Sequence, residues 1–364
     1  MQPTAIKRIS IGGKRMTPHE NFQLYWDGER PERIPFSIYG AFCGSLRENP
    51  DWVALFERGL VPTYWVSTIS KSAKDVERVV NTYQEDGNTM RRTTLKTPVG
   101  EIYTTALVAQ NTVPYWPQKY WLATAEDFRV RTWIVENTEI SPAFDNYDEL
   151  QKQVAPWGLV LPMIGRTPIQ TILVDDAGLE QFSYHLVDLE DEMMTLYQVL
   201  LVNFRKIVEI NAEGPGRYIE CAENFTAETL GPVRYEQFLL PVYKECLPML
   251  HQAGKIVGTH YDGKLSSTRQ AIAAAPIDHI ESFTEPPEGD MTLAECRAVW
   301  PEKGIWSNIN VGLFDLPADQ LQIEIRRKVL EGAPDGRLLA LEISEDLPVN
   351  WQQGIPAIMD ELGY

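Results

Sequence analysis

Short apolar runs alternate with longer amphipathic stretches along most of this chain. Eight runs read as strands: RIPFSIYG (33–40), LVPTYWVST (60–68), WGLVLPMIG (157–165), RYIECAENF (217–225), KIVGTHYDG (255–263), IDHIESFTE (277–285), KGIWSNIN (303–310) and RLLALEIS (337–344). Between most of them the apolar period lengthens to that of a helix. PVRYEQFLLPVYKECLPMLHQA (232–253) places Phe238, Val242, Cys246 and Met249 on one helical face, and PADQLQIEIRRKVLEGAP (317–334) reads the same way. Strands alternating with crossover helices predict parallel pairing. Eight such units predict a closed (β/α)8 barrel, the TIM-barrel architecture. An open doubly wound sheet is the alternative, but no G-x-G-x-x-G follows the first strand to support it.

One long insertion, over roughly 85–155, interrupts the alternation after the second strand. Within it TMRRTTLKTPVGEIYTTALV (89–108) alternates β-branched and polar residues about Pro98-Val99-Gly100, the pattern of an antiparallel hairpin. The aromatic stretch VPYWPQKYW (113–121) reads equally as a lid or substrate platform and as a packed proline-rich loop. The organisation expected is one domain, 1–364, carrying this insertion.

In a barrel, alternate strand residues point inward and chemistry gathers at the C-terminal strand ends. Parity puts Ile256, Gly258, His260 and Asp262 on one face of the fifth strand and Ile277, His279, Glu281 and Phe283 on one face of the sixth. It groups Trp306, Asn308 and Asn310 in the seventh, and Leu338, Ala340, Glu342 and Ser344 in the eighth; Glu223 and Asn224 end the fourth. Converging buried charges need partners, water, a cation or a polar substrate. His260, Asp262 and Glu281 are the candidate catalytic residues, with Glu223, Asn308 and Asn310 as substrate contacts. A lone His-x-Asp pair more often ties down a loop, so the inference rests on several strand ends agreeing. His279 lies deeper and reads as structural. His185 and His251 fall within helical stretches as packing or surface residues, and His19 follows Thr17, a helix cap with Glu20 three residues on.

Composition narrows the function classes. The 364 residues are 44% hydrophobic and 23% charged, ordinary globular values, with a formal net charge of −18. That charge argues against nucleic-acid binding, which needs a basic face. No apolar run reaches the length of a membrane-spanning helix, and MQPTAIKRIS lacks the apolar core of a signal peptide. A cytoplasmic location away from membranes is therefore expected. Cys43, Cys221, Cys246 and Cys296 are widely spaced with no C-x-x-C, so free thiols are expected, Cys246 as a core residue.

Several segments together resemble a known family. They are MTPHENFQLYWDGERPERIPF (16–36), TPVGEIYTT (97–105), ENFTAETLGPVRYEQFLLPVYKECLPML (223–250), THYDG (259–263), HIESFTEPPEGDMTLAECRAVWPEKGIWSNIN (279–310) and the final strand and helix. In this order they resemble the uroporphyrinogen decarboxylase superfamily, which includes corrinoid and coenzyme M methyltransferases. The resemblance implies a (β/α)8 barrel, in agreement with the strand count. It also implies chemistry from which this chain departs. Decarboxylases of the family hold the substrate carboxylates with arginines in an R-Q-A-G-R-Y-type segment; the matching FSIYGAFCGSLREN (36–49) has only Arg47. The methyltransferases hold zinc through an H-x-C…C set that activates a thiol. Here His260 is kept, Asp262 replaces the cysteine, and Glu342, Ser344 and Glu345 stand near the last strand with no cysteine among them.

The resemblance thus implies a variant site for zinc or another divalent ion at His260, Asp262 and Glu281, with Glu342 or Glu345 as a further ligand. The leading expectation is a methyltransferase-like enzyme moving a methyl group between a small substrate and a corrinoid or thiol acceptor. The corrinoid would arrive on a partner protein, because the pattern D-x-H-x-x-G is absent. The alternatives are cofactor-free uroporphyrinogen decarboxylation and a non-catalytic small-molecule-binding barrel. The sequence leaves the oligomeric state open.

Overall fold

A computed structural model describes residues 16–108 and 115–364. The chain divides into two compact units, where one domain with a single insertion was expected. The first unit takes in the described residues up to Ser67, with Phe144–Met163 and Pro215–Tyr364; the second takes in Thr68–Ala143 and Ile164–Gly214. The second unit is thus wider than the hairpin region, because the helices after the third barrel strand group with it.

Eight parallel strands close into a barrel: Phe36–Tyr39, Val61–Val66, Leu159–Gly165, Tyr218–Cys221, Ile256–His260, His279–Phe283, Gly304–Asn308 and Leu339–Ile343. Each falls inside a run identified by its apolar pattern. The pairing register sets His260 beside Glu281 and sets Glu342 between Asn308 and Ser37.

The opening helix Pro18–Trp26 is fixed at its start by a capping box. Thr17 Oγ1 accepts from the Glu20 amide at 3.2 Å, and Glu20 Oε2 accepts from the Thr17 amide at 2.6 Å. The helix buries Phe22, Tyr25 and Trp26 in one apolar cluster with Val61, Leu159, Tyr218, Ile256, Trp306 and Ala340. Those strand residues have the inward parity, so this cluster fills the barrel below the polar strand ends. His279 belongs to the same level, its ring edge-on to Tyr25 at 4.8 Å and its Nε2 3.3 Å from the Trp26 carbonyl. Its structural reading stands.

The helical stretch 232–253 folds as Gly231–Arg234, a wide turn over Tyr235–Leu239, and Leu240–Gln252. Its buried stripe runs through Tyr243, Cys246, Leu247 and Leu250. Met249 therefore falls off the edge at 40% exposure, contrary to the face assigned from sequence. None of the four cysteines forms a disulfide, and all are buried.

In the second unit, Asn88–Thr97 and Gly100–Val108 form the expected hairpin. They belong to a four-stranded antiparallel sheet with Glu77–Glu85 and Tyr115–Lys119. Ile102, Val130 and Ile134 form one core cluster of that unit with Leu95, Trp121 and Trp133 packed on it. The aromatic stretch 113–121 supplies the edge strand Tyr115–Lys119, while its residues 113 and 114 lie outside the described residues. Among the described residues no helix is long and apolar enough to cross a membrane.

Candidate active site

The site is a layer of side chains above the aromatic barrel floor. Inward parity in the fourth, sixth and eighth strands delivers Glu220, Glu281 and Glu342, all buried. Alternate strands fill one layer of a barrel in this way. His260 from the fifth strand and Tyr39 from the first complete the group. His260 Nδ1 lies 2.6 Å from Glu281 Oε2, and the Tyr39 hydroxyl donates to Glu281 Oε1 at 2.7 Å. The other imidazole nitrogen, Nε2, is 3.4 Å from Asp262 Oδ2. That separation is long for a hydrogen bond. The His260 side chain keeps 20% exposure and that of Asp262 33%, whereas Glu281 has none.

Local backbone choices make room for this layer. A Cβ on residue 258 would sit 1.7 Å from Tyr218 Oη and 2.7 Å from Glu220 Oε2, so only glycine lets those two groups enter the barrel. Ser282 adopts a left-handed conformation, φ 58°, at an irregularity in the pairing between Ile280 and Phe283. A serine there carries strain. The distortion turns the Ser282 amide onto Glu342 Oε1 at 2.9 Å, and its hydroxyl lies 2.7 Å from that of Ser344.

The electrostatics follow from burial and from Glu281. Burial works against a charged His260, but Glu281 and then Asp262 outweigh it and hold the imidazole well above its ordinary pKa, as an imidazolium. Burial, reinforced by the Glu281 charge, pushes both Glu220 and Glu342 well above the carboxyl range. Burial and then the same charge raise the Tyr39 phenol. The layer therefore presents one imidazolium among buried carboxyl groups.

Of the residues singled out in the sequence, His260, Asp262, Glu281 and Glu342 meet in this layer or at its edge. Glu223 does not. The fourth strand stops at Cys221, and Asn224 is left-handed at φ 54°. Glu223 is buried in a tyrosine cluster, where Tyr243 Oη donates to its Oε1 at 2.8 Å and Cys221 Sγ lies 3.1 Å away. The asparagines brace strand ends. Asn308 Oδ1 accepts from the Ser344 amide at 3.2 Å, and Asn310 Nδ2 donates to the Glu285 carbonyl at 2.9 Å. Tyr39 and Glu220 were missed, although parity along the first and fourth strands marks both as inward.

The metal expected from the resemblance finds an incomplete donor set. Among the described residues no three His, Cys, Asp or Glu side chains are grouped to hold a metal ion. Nδ1 of His260 is taken by Glu281, and Glu342 Oε1 is spent on the Ser282 amide. Nε2 and Asp262 remain beside each other, two donors where a catalytic zinc takes three, and the unengaged oxygens of Glu220 and Glu342 are not grouped with them. These residues do not fit a resident metal, and the chemistry open to them is proton transfer by His260 held on Glu281.

No protein-family model and no curated protein matches the chain. Solved structures do. A methyltransferase from Methanosarcina mazei aligns at TM-score 0.56 and 12% identity, over 96% of this chain and 98% of its own. A catalytic module of the pneumococcal exo-β-D-N-acetylglucosaminidase StrH aligns at TM-score 0.39 and 9% identity, over 90% of this chain and 81% of its own. The first likeness establishes the barrel fold.

Proposed function

We propose that this protein is a methyltransferase-like enzyme of the uroporphyrinogen decarboxylase type, with His260 as its proton donor. It moves a methyl group between a small substrate and a thiol or corrinoid acceptor, a corrinoid being brought by a partner protein. The supporting observation is the 2.6 Å contact that fixes His260 Nδ1 on buried Glu281 while Nε2 stands toward half-exposed Asp262. A carboxylate behind an imidazole fixes its orientation and stabilises its protonated form. As the methyl carbon leaves its heteroatom for the acceptor, that heteroatom takes the Nε2 proton. Tyr39 keeps Glu281 in place through the ring's change of charge. The Methanosarcina mazei neighbour, named for methyl transfer, is in keeping with this reading.

Porphyrinogen decarboxylation has less support. Arg47, the one arginine of 36–49, donates to the Ala155 carbonyl at 2.8 Å. No arginine pairs with the described residues of the layer.

The test is transfer of a ¹³C-methyl label from aryl methyl ethers and methylated amines to cob(I)alamin or a thiol. Loss of general-acid catalysis is worth about 10²–10⁴-fold, so His260→Gln should lose that much of the rate. Turnover unchanged in both His260→Ala and Glu281→Ala would overturn the proposal.

A further inference from the structure

The charge of the barrel mouth narrows the substrate. Six carboxyl groups surround one imidazole: Glu220, Glu281 and Glu342 within, Asp262 beside His260, and exposed Glu288 and Glu345 in the loops that follow the sixth and eighth strands. The loop pair is anchored, with Thr284 Oγ1 donating to Glu345 Oε1 at 3.1 Å and Asn310 Nδ2 to Glu288 Oε2 at 2.5 Å. Among the described residues, none of the hydrogen bonds or ion pairs to these six groups comes from lysine or arginine. Glu285, just past the end of the sixth strand, is the contrast. It is met by both Nη atoms of Arg327, at 3.1 and 2.9 Å, and by Lys328 Nζ at 2.5 Å. Glu285 is neutralised by two cations of the chain, whereas the six carboxyl groups of the mouth share one, the His260 imidazolium on Glu281 and beside Asp262.

Two further observations point to a ligand. Among the described residues, neither oxygen of Glu220, nor Glu342 Oε2, nor the Tyr218 hydroxyl makes a well-formed hydrogen bond; Tyr218 and Glu220 face each other and Glu342 faces Glu281, all buried. Such groups are costly unless something engages them. Partly exposed aromatic rings stand beside them, Tyr39 stacked on Phe42 at 6.1 Å and edge-on to Trp65 at 6.2 Å. Carboxyl groups with aromatic faces recognise methylated ammonium ions, and the net charge of −18 draws cations toward the protein.

We propose that the methyl donor is an organic cation, a methylated ammonium compound, bound with its nitrogen among these carboxyl groups and against the Tyr39–Trp65 wall. This rests on the methyl-transfer reading. The N–CH3 bond breaks with its electron pair left on nitrogen, and the carbon bonds to the thiolate or corrinoid nucleophile. The neutral amine then takes the Nε2 proton of His260 and leaves as an ammonium ion, and His260 regains a proton from solvent.

Calorimetric titration at low salt tests the class with choline, its neutral isostere 3,3-dimethylbutan-1-ol and the anion 3,3-dimethylbutanoate. Choline should bind at least about tenfold more tightly than the alcohol, a difference of about 1.4 kcal/mol, and the anion should bind weakest. The double variant Glu288→Gln/Glu345→Gln should narrow the gap severalfold with its melting temperature unchanged. The proposal is overturned if the alcohol equals choline, if the anion binds tighter, if the double variant keeps the full gap, or if neither choline nor tetramethylammonium binds. Equal binding of alcohol and choline with label still transferred from a neutral methyl ether would remove the cation and leave methyl transfer standing. A clear choline preference with no methyl moved from any donor would keep the cation site and count against methyl transfer.

Discussion

Replacing Glu281 by Gln should remove the charge that organises the barrel layer while keeping its shape. The wild-type carboxylate accepts from Tyr39 at 2.7 Å and contacts His260 Nδ1 at 2.6 Å, with no solvent exposure. Hydrogen bonds to a charged group are worth about 1.5–3 kcal/mol each and neutral ones about 1. Removing one member of a buried pair costs about 3–5 kcal/mol. Two effects offset this: the amide oxygen can still accept one bond, and the repulsion that raises Glu220 and Glu342 disappears. The net expectation is a loss of about 2 kcal/mol near pH 6.

The pH dependence follows from His260. Its folded pKa is raised above the unfolded value, so its contribution is complete below about 6.5 and is lost as pH rises through the higher folded value. Urea unfolding of both proteins between pH 5.5 and 9.5 reads this directly. The gap between wild type and Glu281→Gln should be widest at the acid end and shrink toward the alkaline end. A gap that is constant with pH, or a variant more stable than wild type at pH 6, would refute the reasoning.

Gly258→Ala should cost about 1–3 kcal/mol by overpacking, since the added methyl collides with the Tyr218 ring and the Glu220 carboxyl; thermal unfolding checks it. Lys328→Met should cost about 1.5–3 kcal/mol at pH 7 by removing one of the two cations on buried Glu285, Arg327 remaining. Burial opposes ionisation of Glu285, yet Arg327 and Lys328 hold its pKa down at about 2, so its contribution is full above the ordinary carboxyl value and is lost as pH falls toward 2. The Lys328→Met deficit should accordingly shrink in acid. Dialysis against a chelator should leave melting temperature and choline binding unchanged; a fall in either would restore the metal set of His260, Asp262, Glu281 and Glu342.

The barrel and much of its layer were legible because strand alternation is a property of the backbone. All eight strands and the inward placement of His260 and Glu281 follow from a period of two. The alternation misleads where the backbone leaves the strand. The fourth strand ends at Cys221, and left-handed Asn224 follows, so Glu223, chosen for its place at the end of the apolar run, falls in the tyrosine cluster instead. Ser282 breaks the alternation of the sixth strand in the same way, and no turn residue announces it. Tyr39, the last residue of the first strand, and Glu220, one residue short of the end of the fourth, were readable from parity. The ligand arithmetic was beyond the sequence, because it depends on which face of an imidazole a carboxylate occupies.

The central claim is that His260 holds a proton, anchored on Glu281, at the mouth of the barrel. Nitrogen-15 NMR of histidine-labelled protein, with His260→Gln to assign the resonance, measures this without a substrate. The account predicts an imidazolium through pH 7 with a far-downfield Nδ1 proton that vanishes in Glu281→Gln. A neutral His260 at pH 7, or a resonance indifferent to Glu281, would contradict it.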